Sequence, residues 1–364
     1  MSVADQTGPS ADLDTLRRRI DEVDQALLGL LAQRARIVQQ VGELKHQHGA
    51  PVYRPEREAQ IYRTLASRNP GPLSDQALQG IWREIISASR ELERRLRVAY
   101  LGPAGTFSEM ALLAHFGARV EAVACASIDE VFRSTEARAC DFGVVPVENS
   151  TEGAVNRTLD LMLLTPLRII GEVSIPIHHN LMNQSGERAA IRKVCAHPQA
   201  LAQCTAWLDR NLPGIERAPV SSNAEGARLA SLDPAVAAIA ATAAAERYGL
   251  AIADGGIQDD PQNRTRFAVM GDYRCAPSGQ DQTSLILSVP DRAGAVHALI
   301  EPLARHRVSM KRFESRPARQ GQWEYYFYID LIGHADDPSL VAALAELREH
   351  AAFFKLVGSY PRAA

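Results

Sequence analysis

A proline-free run from Asp12 to about His48 constrains this chain more than any other stretch. Its apolar positions Leu13, Leu16, Ile20, Val23, Leu27, Leu31, Val38 and Val41 recur at helical spacings, so they share one face of a single helix. Asp12 or Asp14 can cap its start, and Gly49-Ala50-Pro51 stops it. At about 1.5 Å per residue this helix is on the order of 55 Å long, beyond the diameter of a small domain. Its apolar stripe therefore has to be buried against another chain.

Two cations, Arg34 and Lys45, interrupt the stripe about three turns apart and face the same interior. A charge left unpaired in a core is prohibitively costly, and the stripe holds no acidic residue opposite them, so a small anion is the expected partner. Arg17 lies about 25 Å and roughly 100° away along the same helix, so only an antiparallel partner helix can bring it to the same small molecule. A dimerisation arm with a solvated arginine face is the bland alternative. It is disfavoured because two cations in the seam would destabilise a plain zipper.

A second helix opens at Arg54, Arg57 and Glu58 and runs to about Ser67. A third runs from about Ser74 to Arg95, with Ile81, Ile85, Ala88 and Leu92 inward and Ser89 and Glu93 sharing an adjacent face. The set Leu16-Arg17, Arg34, Gly42, Lys45, Arg57-Glu58 and Ser89 resembles the all-helical chorismate mutase family, an intertwined three-helix dimer. The resemblance implies that Arg34 and a second subunit's Arg17 grip the two carboxylates of chorismate, with Arg57 and Ser89 in the site. Lys45 would serve the ether oxygen and Glu58 the ring hydroxyl. Many relatives carry Gln where Glu93 stands. A protonated Glu93 is therefore expected to donate to the ether oxygen and to shift mutase activity toward mildly acidic pH. Arg54 stands where relatives can have Asp and receives no catalytic role.

At 364 residues the chain is expected to hold two or three domains. A net charge of -3 argues against a nucleic-acid-coating protein. The five cysteines show no C-x-x-C spacing, which suggests neither a zinc site nor a disulfide framework and fits reduced thiols. Met1 to Ala11 is polar and no apolar run approaches membrane-spanning length, so no membrane partner and a cytoplasmic location are expected.

From Val98 the grammar becomes strand, polar turn, helix, as in a parallel α/β sheet. Strand Val98–Leu101 leads through Gly102-Pro-Ala-Gly-Thr106-Phe-Ser108 into helix Met110–Phe116. Helix Ile128–Glu136 and strand Phe142–Pro146 follow, and Glu148-Asn149-Ser150-Thr151-Glu152-Gly153 is expected to open another helix. No G-x-G-x-x-G appears, which disfavours a nicotinamide enzyme. Near Ile175-Pro176 the chain enters a second set: strands Ile177–Met182 and Lys193–Ala196, His197-Pro-Gln leading a helix with Gln203, alanine-rich helices around Ala224 and Ala241, and strand Ala237–Ala240. Ala251–Ala253 leads back toward the first lobe, ending in Asn263-Arg264-Thr265-Arg266-Phe267 and Met270. Two lobes with a cleft between them are a natural small-ligand site. Taken singly, Thr265 could merely pin a turn, His197 could be a turn residue and Glu148 a helix cap.

The combination of Gly102–Ser108, Val145-Pro-Val-Glu-Asn-Ser150, His197-Pro-Gln199 and Thr265-Arg-Phe267 closely resembles prephenate dehydratase. The resemblance assigns Thr265 to the leaving hydroxyl of prephenate, aimed by its stiff χ1, and makes Glu148 the candidate proton supplier. Asn149, Ser150, Gln203, Thr106, Ser222, Asn223 and Phe267 are expected to bind substrate, with no cofactor and no metal.

After a polar linker, Pro277 to Gln282, the order is strand Ser284–Val289, helix Ala295–His306, strand Ser309–Arg316, strand Trp323–Ile332, helix Pro338–His350 and strand Phe353–Val357. That βαββαβ order is ferredoxin-like. Gly294-Ala295-Val296 and Glu314-Ser315-Arg316-Pro317 resemble the paired phenylalanine-binding motifs of the ACT domain. The expected division is a mutase domain over 12–97, a dehydratase domain over 98–276 (lobes 98–176 plus 254–276, and 177–253) and a regulatory domain over 283–364. Phenylalanine would act as allosteric inhibitor of a homodimer or higher oligomer. The contrasting class is a clamshell sensor with a dimerising helix, which has no need of the cations Arg34 and Lys45.

Overall fold

The structure, a computed structural model, describes residues 12–48, 50–289, 292–317 and 325–363. Met1–Ala11, Gly49 of the expected helix stop and Trp323 at the head of the expected aromatic strand lie outside the described residues.

Helix α1 (Leu13–His48) is one unbroken rod with no residue buried within the single chain. Leu27 is 50% exposed and Ile20 59%, so the stripe expected to meet another chain is uncovered in one copy. Helix α2 (Pro55–Ser67) begins with proline in its first turn, where the missing N–H costs nothing. Helix α3 (Asp75–Glu93) is capped by Ser74, whose side chain accepts from Ala77 N. The expected inward face of α3 is corrected: Ile81 and Leu92 are exposed, while Ile86, Ser87 and Arg90 are buried. The reason is a second packing surface. Ser87 Oγ accepts from Arg119 N at 3.0 Å, and Arg90 donates to Phe116 O while its guanidinium sits 5.2 Å from the Tyr53 ring centre.

This seam also holds His115, whose Nε2 is 2.6 Å from Tyr53 OH. Burial, reinforced by the charges of Arg90 and Arg83, pushes His115 down from 6.5 to about 3. The unfolded chain therefore takes up this proton first. The associated stability is complete above about pH 6.5 and is lost as pH falls toward about 3. His115→Gln should flatten the melting temperature against pH between about 7 and 4. A slope equal to wild type would show that His115 does not carry it.

Strands β1 (Arg97–Leu101), β2 (Glu121–Cys125), β3 (Phe142–Asn149), β5 (Arg168–Pro176) and β11 (Arg264–Gly271) form a sheet in the order β2-β1-β3-β11-β5, with β4 (Gly153–Ala154) hairpinned onto β3. Strand β1 runs parallel to both neighbours, but β11 is antiparallel to β3 and β5, so the expected parallel sheet is mixed. Around it lie α4 (Phe107–Phe116), α5 (Ile128–Glu136) and α6 (Asn156–Leu164). Glu148–Gly153 does not open a helix. Asn149 Oδ1 accepts from Thr151 N and Glu152 N, which turns the chain back into β4, and α6 starts only at Asn156.

The second lobe orders its strands β10-β6-β9-β7-β8, from β6 (Asn180–Asn183), β7 (Lys193–Ala196), β8 (Glu216–Pro219), β9 (Val236–Ala240) and β10 (Ala251–Asp254). Ile177–His179, expected as strand, forms an irregular crossing between lobes. Helices α7 (Pro198–Gln203), α8 (Thr205–Asn211), α9 (Asn223–Leu232) and α10 (Thr242–Tyr248) complete the lobe. Gly226 lets α9 lie directly on β7, since a Cβ there would stand 2.5 Å from Cys195 O.

The last unit contains β12 (Asp281–Ser288), α11 (Ala295–Arg305), β13 (Met310–Pro317), β14 (Tyr325–Ile332), α12 (Pro338–His350) and β15 (Phe353–Pro361). Its strand order β13-β14-β12-β15 is ferredoxin-like, as expected from the sequence. The expected linker is corrected. Asp281 and Gln282 already belong to β12 and are buried, and Asp281 Oδ2 accepts from Ser278 N and Gly279 N at 2.8 and 2.9 Å.

Candidate active sites

In the helical unit Arg34 donates to Ser89 Oγ, which in turn donates to Ile85 O at 2.6 Å. Beside them α1 and α3 flank an open groove of about 610 Å³ lined by Leu31, Arg34, Ile85, Ser89 and Leu92. Lys45 Nζ lies 3.2 and 3.3 Å from the carboxylate oxygens of Glu93 and 3.3 Å from Val52 O. The stripe itself holds no acidic residue opposite its cations, as expected, but α3 brings Glu93 to Lys45, so a small anion is not the only partner this ammonium has. Gly42 makes this approach possible, because a Cβ there would stand 2.8 Å from Glu93 Cγ. Glu93 thus accepts from Lys45 through both oxygens, in place of the donor role expected of it.

Glu58 is 3.4 Å from Arg90, a buried partner the sequence reading did not single out. Burial raises the Glu58 carboxyl above its ordinary range, against the pull of Arg90 and Lys45. Arg57 is exposed on α2, and Arg17 is exposed on α1, 3.3 Å from Asp14. The single chain thus gathers Arg34, Ser89, Lys45, Glu93 and Glu58 around α3 and leaves Arg17 apart.

The inter-lobe cleft encloses about 680 Å³. Thr265 and Asn149 are directly opposed across β11 and β3, so both side chains face the same way. Asn149 Nδ2 donates to Thr265 Oγ1 and to Asn263 Oδ1, each at 2.9 Å. With its other end held by two backbone N–H groups, Asn149 is fixed. The threonine oxygen accepts from it, and its own hydrogen is committed to no acceptor among the described residues. A free, aimed O–H therefore stands in the cleft wall.

Strand alternation decides the rest. Arg266 and Glu148 are the next opposed pair, so they face away from the cleft. Glu148 lies 3.2 Å from Arg312 and 3.8 Å from Arg266, in a separate polar cavity against the C-terminal unit. Its expected role as proton supplier to Thr265 is overturned. Phe267 is 2% exposed and belongs to the core rather than the cleft lining. Ser150 does not line the cleft either; its Oγ accepts from Arg264 N at 3.0 Å and pins the turn.

Thr106, Gln203, Ser222 and Asn223 do line the cleft. Thr106 and Ser222 are the caps of α4 and α9, so two helix N-termini open onto it. Asn223 Oδ1 accepts from His197 N at 2.9 Å, and His197 caps α7, the turn role considered for it. Among the described residues no lysine or arginine lines this cleft. Sequence reading missed His179, which lines it and is 2% exposed. Its only signal was a His-His pair just before an apolar strand.

In the C-terminal unit Gly294 adopts φ +80° at the start of α11, a left-handed conformation that suits glycine. Ser288, Tyr326 and Arg316 lie side by side across β12, β14 and β13. The chain that leaves β12 toward Gly294, Ala295 and Val296 thus starts at the same end of the sheet as Arg316 and Pro317. Arg316 itself turns to Asp160 on α6, 3.0 Å away.

Three family descriptions match in order: chorismate mutase type II over residues 16–94, prephenate dehydratase over 98–274 and the ACT domain over 283–349. The bifunctional chorismate mutase/prephenate dehydratase of Neisseria gonorrhoeae is 49% identical over 350 residues, covering 95% of this chain and 96% of the relative. That of Aquifex aeolicus is 40% identical, covering 97% and 98%. Among solved structures, prephenate dehydratase from Arthrobacter aurescens in complex with L-Phe superposes with a TM-score of 0.68 at 34% identity, over 74% of this chain and 90% of that one. No helix among the described residues is long and apolar enough to cross a membrane. With three domain matches in series and relatives aligned along nearly their whole length, this chain belongs to the family of bifunctional chorismate mutase/prephenate dehydratases.

Proposed function

We propose that the two reactions run at two separate sites, chorismate to prephenate in 12–97 and prephenate to phenylpyruvate in 98–276, under control of 283–364. The observation that carries the second assignment is the free Thr265 hydroxyl, held by Asn149 in a cleft that no lysine or arginine lines among the described residues.

In the mutase site the substrate dicarboxylate is gripped by Arg34 and by Arg17 from a second copy, with Arg57 at its edge. Covering the α1 stripe with that copy supplies the missing cation and buries the exposed leucines together. Lys45 donates to the ether oxygen, where negative charge builds as the C–O bond breaks. Glu93 holds the ammonium in place and Glu58 holds the ring hydroxyl. No proton moves and no covalent intermediate forms, so confinement of a flexible substrate and electrostatics carry the rearrangement.

In the dehydratase cleft Thr265 donates to the departing hydroxyl. Thr106, Gln203, Ser222, Asn223 and the N–H groups opening α4 and α9 hold the substrate. The absence of a cation suits the chemistry. A carboxylate about to leave as neutral CO2 loses charge in the transition state, and a paired guanidinium would favour the ground state instead. With Glu148 on the other face, solvent in the open cleft replaces the proton that Thr265 gives.

Phenylalanine occupies the end of the sheet between Gly294-Ala295-Val296 and Glu314–Pro317, a reading supported by the ACT match and the L-Phe complex of the Arthrobacter relative. Glu148 then joins the two domains through Arg312 rather than taking part in chemistry. Glu148→Gln should leave dehydratase turnover within about tenfold, roughly 1.4 kcal/mol, while blunting inhibition by phenylalanine. Full inhibition in that variant would separate Glu148 from the response. The whole reading is tested by supplying chorismate and following phenylpyruvate absorbance in alkali, with and without phenylalanine. No phenylpyruvate from folded protein would sink it.

A further inference from the structure

We propose that His179 is a positioning residue for the dehydratase, acting through Gln203: its ring N–H fixes which end of the Gln203 amide is offered to the substrate. This rests on the reading of the cleft given above.

His179 stands in the irregular crossing between the lobes and touches both. Its ring packs edge-on against Phe107 of the first lobe, with centres 5.6 Å apart. Its Nε2 is 2.8 Å from Gln203 Oε1, on α7 of the second. The other end of the same amide, Gln203 Nε2, donates to Glu152 Oε1 at 3.3 Å, across the cleft in the first lobe. The backbone on both sides is tied down as well: His179 N donates to Gln258 Oε1 at 3.0 Å, and Gln203 O accepts from Asp259 N at 2.8 Å.

Only one arrangement of hydrogens satisfies this chain. A carboxylate accepts and cannot donate, so the amide must turn its NH2 toward Glu152 and its carbonyl toward the ring. The ring must then carry its hydrogen on Nε2. Flipping the amide would set its carbonyl against the Glu152 carboxylate and a second donor against the ring N–H.

The remaining nitrogen, Nδ1, is buried without a hydrogen-bond partner. An unmet buried acceptor is costly, so packing alone does not account for a histidine here. Burial also holds the ring below its ordinary range, against the Gln203 hydrogen bond and with some help from His178. His179 therefore supplies a directed N–H without a positive charge, in keeping with a cleft whose lining carries no lysine or arginine. A lysine or arginine in its place would set a cation beside the carboxylate that has to leave.

The test uses the full chain with His179→Phe, His179→Gln, Gln203→Ala and the double variant His179→Phe/Gln203→Ala. Prephenate kcat and KM are measured across pH, with the mutase rate and melting temperature as folding controls. His179→Phe keeps the contact with Phe107 and loses the N–H. It should lower dehydratase kcat/KM by about 10- to 100-fold, the scale of misplacing a group near the reacting centre, and leave the mutase intact. The double variant should be no worse than the poorer single one. His179→Gln, whose amide N–H can reach the same carbonyl, should restore most of the loss. Single effects that multiply in the double variant would overturn the proposal, as would wild-type turnover in His179→Phe. So would an acid limb of the wild-type pH profile that vanishes in His179→Gln, because the ring would then titrate in the cycle. If His179→Phe fails to fold, a folded His179→Gln that falls as far as Gln203→Ala also overturns it.

Discussion

Lys45→Met removes mutase activity by a factor on the order of a thousand, while prephenate turnover stays within about twofold of wild type. Loss of one donor aimed at a developing oxyanion costs roughly 10² to 10³ in rate, and here a second penalty adds to it. Glu93, with only 8% of its side chain exposed, is left without the ammonium that now lies 3.2 Å away. An unpaired buried carboxylate then faces an incoming dianion. The companion variant Lys45→Met/Glu93→Gln should recover part of the loss, because it removes the repulsion without restoring the donor. The measurement is chorismate consumption and prephenate turnover on the same preparation. Collapse of both activities in folded protein would mean that the two sites are not separate.

Thr265→Ala should lower dehydratase turnover by about 10² to 10⁴, the span attributed to a positioned proton donor, and Thr265→Ser should retain much of it. The structural cost of the alanine is small. Asn149 Nδ2 loses one acceptor but keeps Asn263 Oδ1, so stability changes by about 1 kcal/mol. A large rate loss with an intact melting temperature is therefore attributable to chemistry. Turnover of Thr265→Ala within about tenfold of wild type, roughly 1.4 kcal/mol of barrier, would reduce Thr265 to a turn residue. A threonine hydroxyl is too weak an acid to be the final proton source near neutral pH. Its uncommitted hydrogen fits a relay from solvent.

Periodicity was the most legible signal in the chain. The stripe of α1 and the βαββαβ order of the last unit are repeated patterns, and the structure places them within a few residues of expectation. What did not read through was which side a single residue takes. Glu148 and Asn149 are adjacent in sequence and, on a strand, point to opposite faces; nothing in the stretch Val145–Ser150 shows that it continues as strand beyond Pro146. The second packing surface of α3 was hidden for a related reason. Ile86, Ser87 and Arg90 form no apolar stripe, since two of the three are polar, and the partners of Ser87 and Arg90, Arg119 and Phe116, come from another domain. His179 escaped notice because irregular crossings have no period to detect.

Arg266, the neighbour of Thr265 on the hidden face of β11, shows what the chain cannot easily do without. Burial works against its charge, yet Tyr360, Asp330 and Glu172 together hold it above its ordinary value. Asp330, 2.7 Å away, and Tyr360 belong to the last unit, and Glu172, 2.8 Å away, to the middle one. At the other boundary Arg90 of α3, paired with Glu58 of its own unit, donates to Phe116 O of the middle one. The borders that look like natural cut points in the sequence are therefore riveted in three dimensions by arginines, Arg90 buried and Arg266 half-buried. Gene fission at the second border would strip Arg266 of Asp330 and Tyr360 and leave Asp330 without its cation, fission at the first would leave the Arg90 donation to Phe116 O unmade, and a foreign neighbour transplanted at either place would have to supply the matching group.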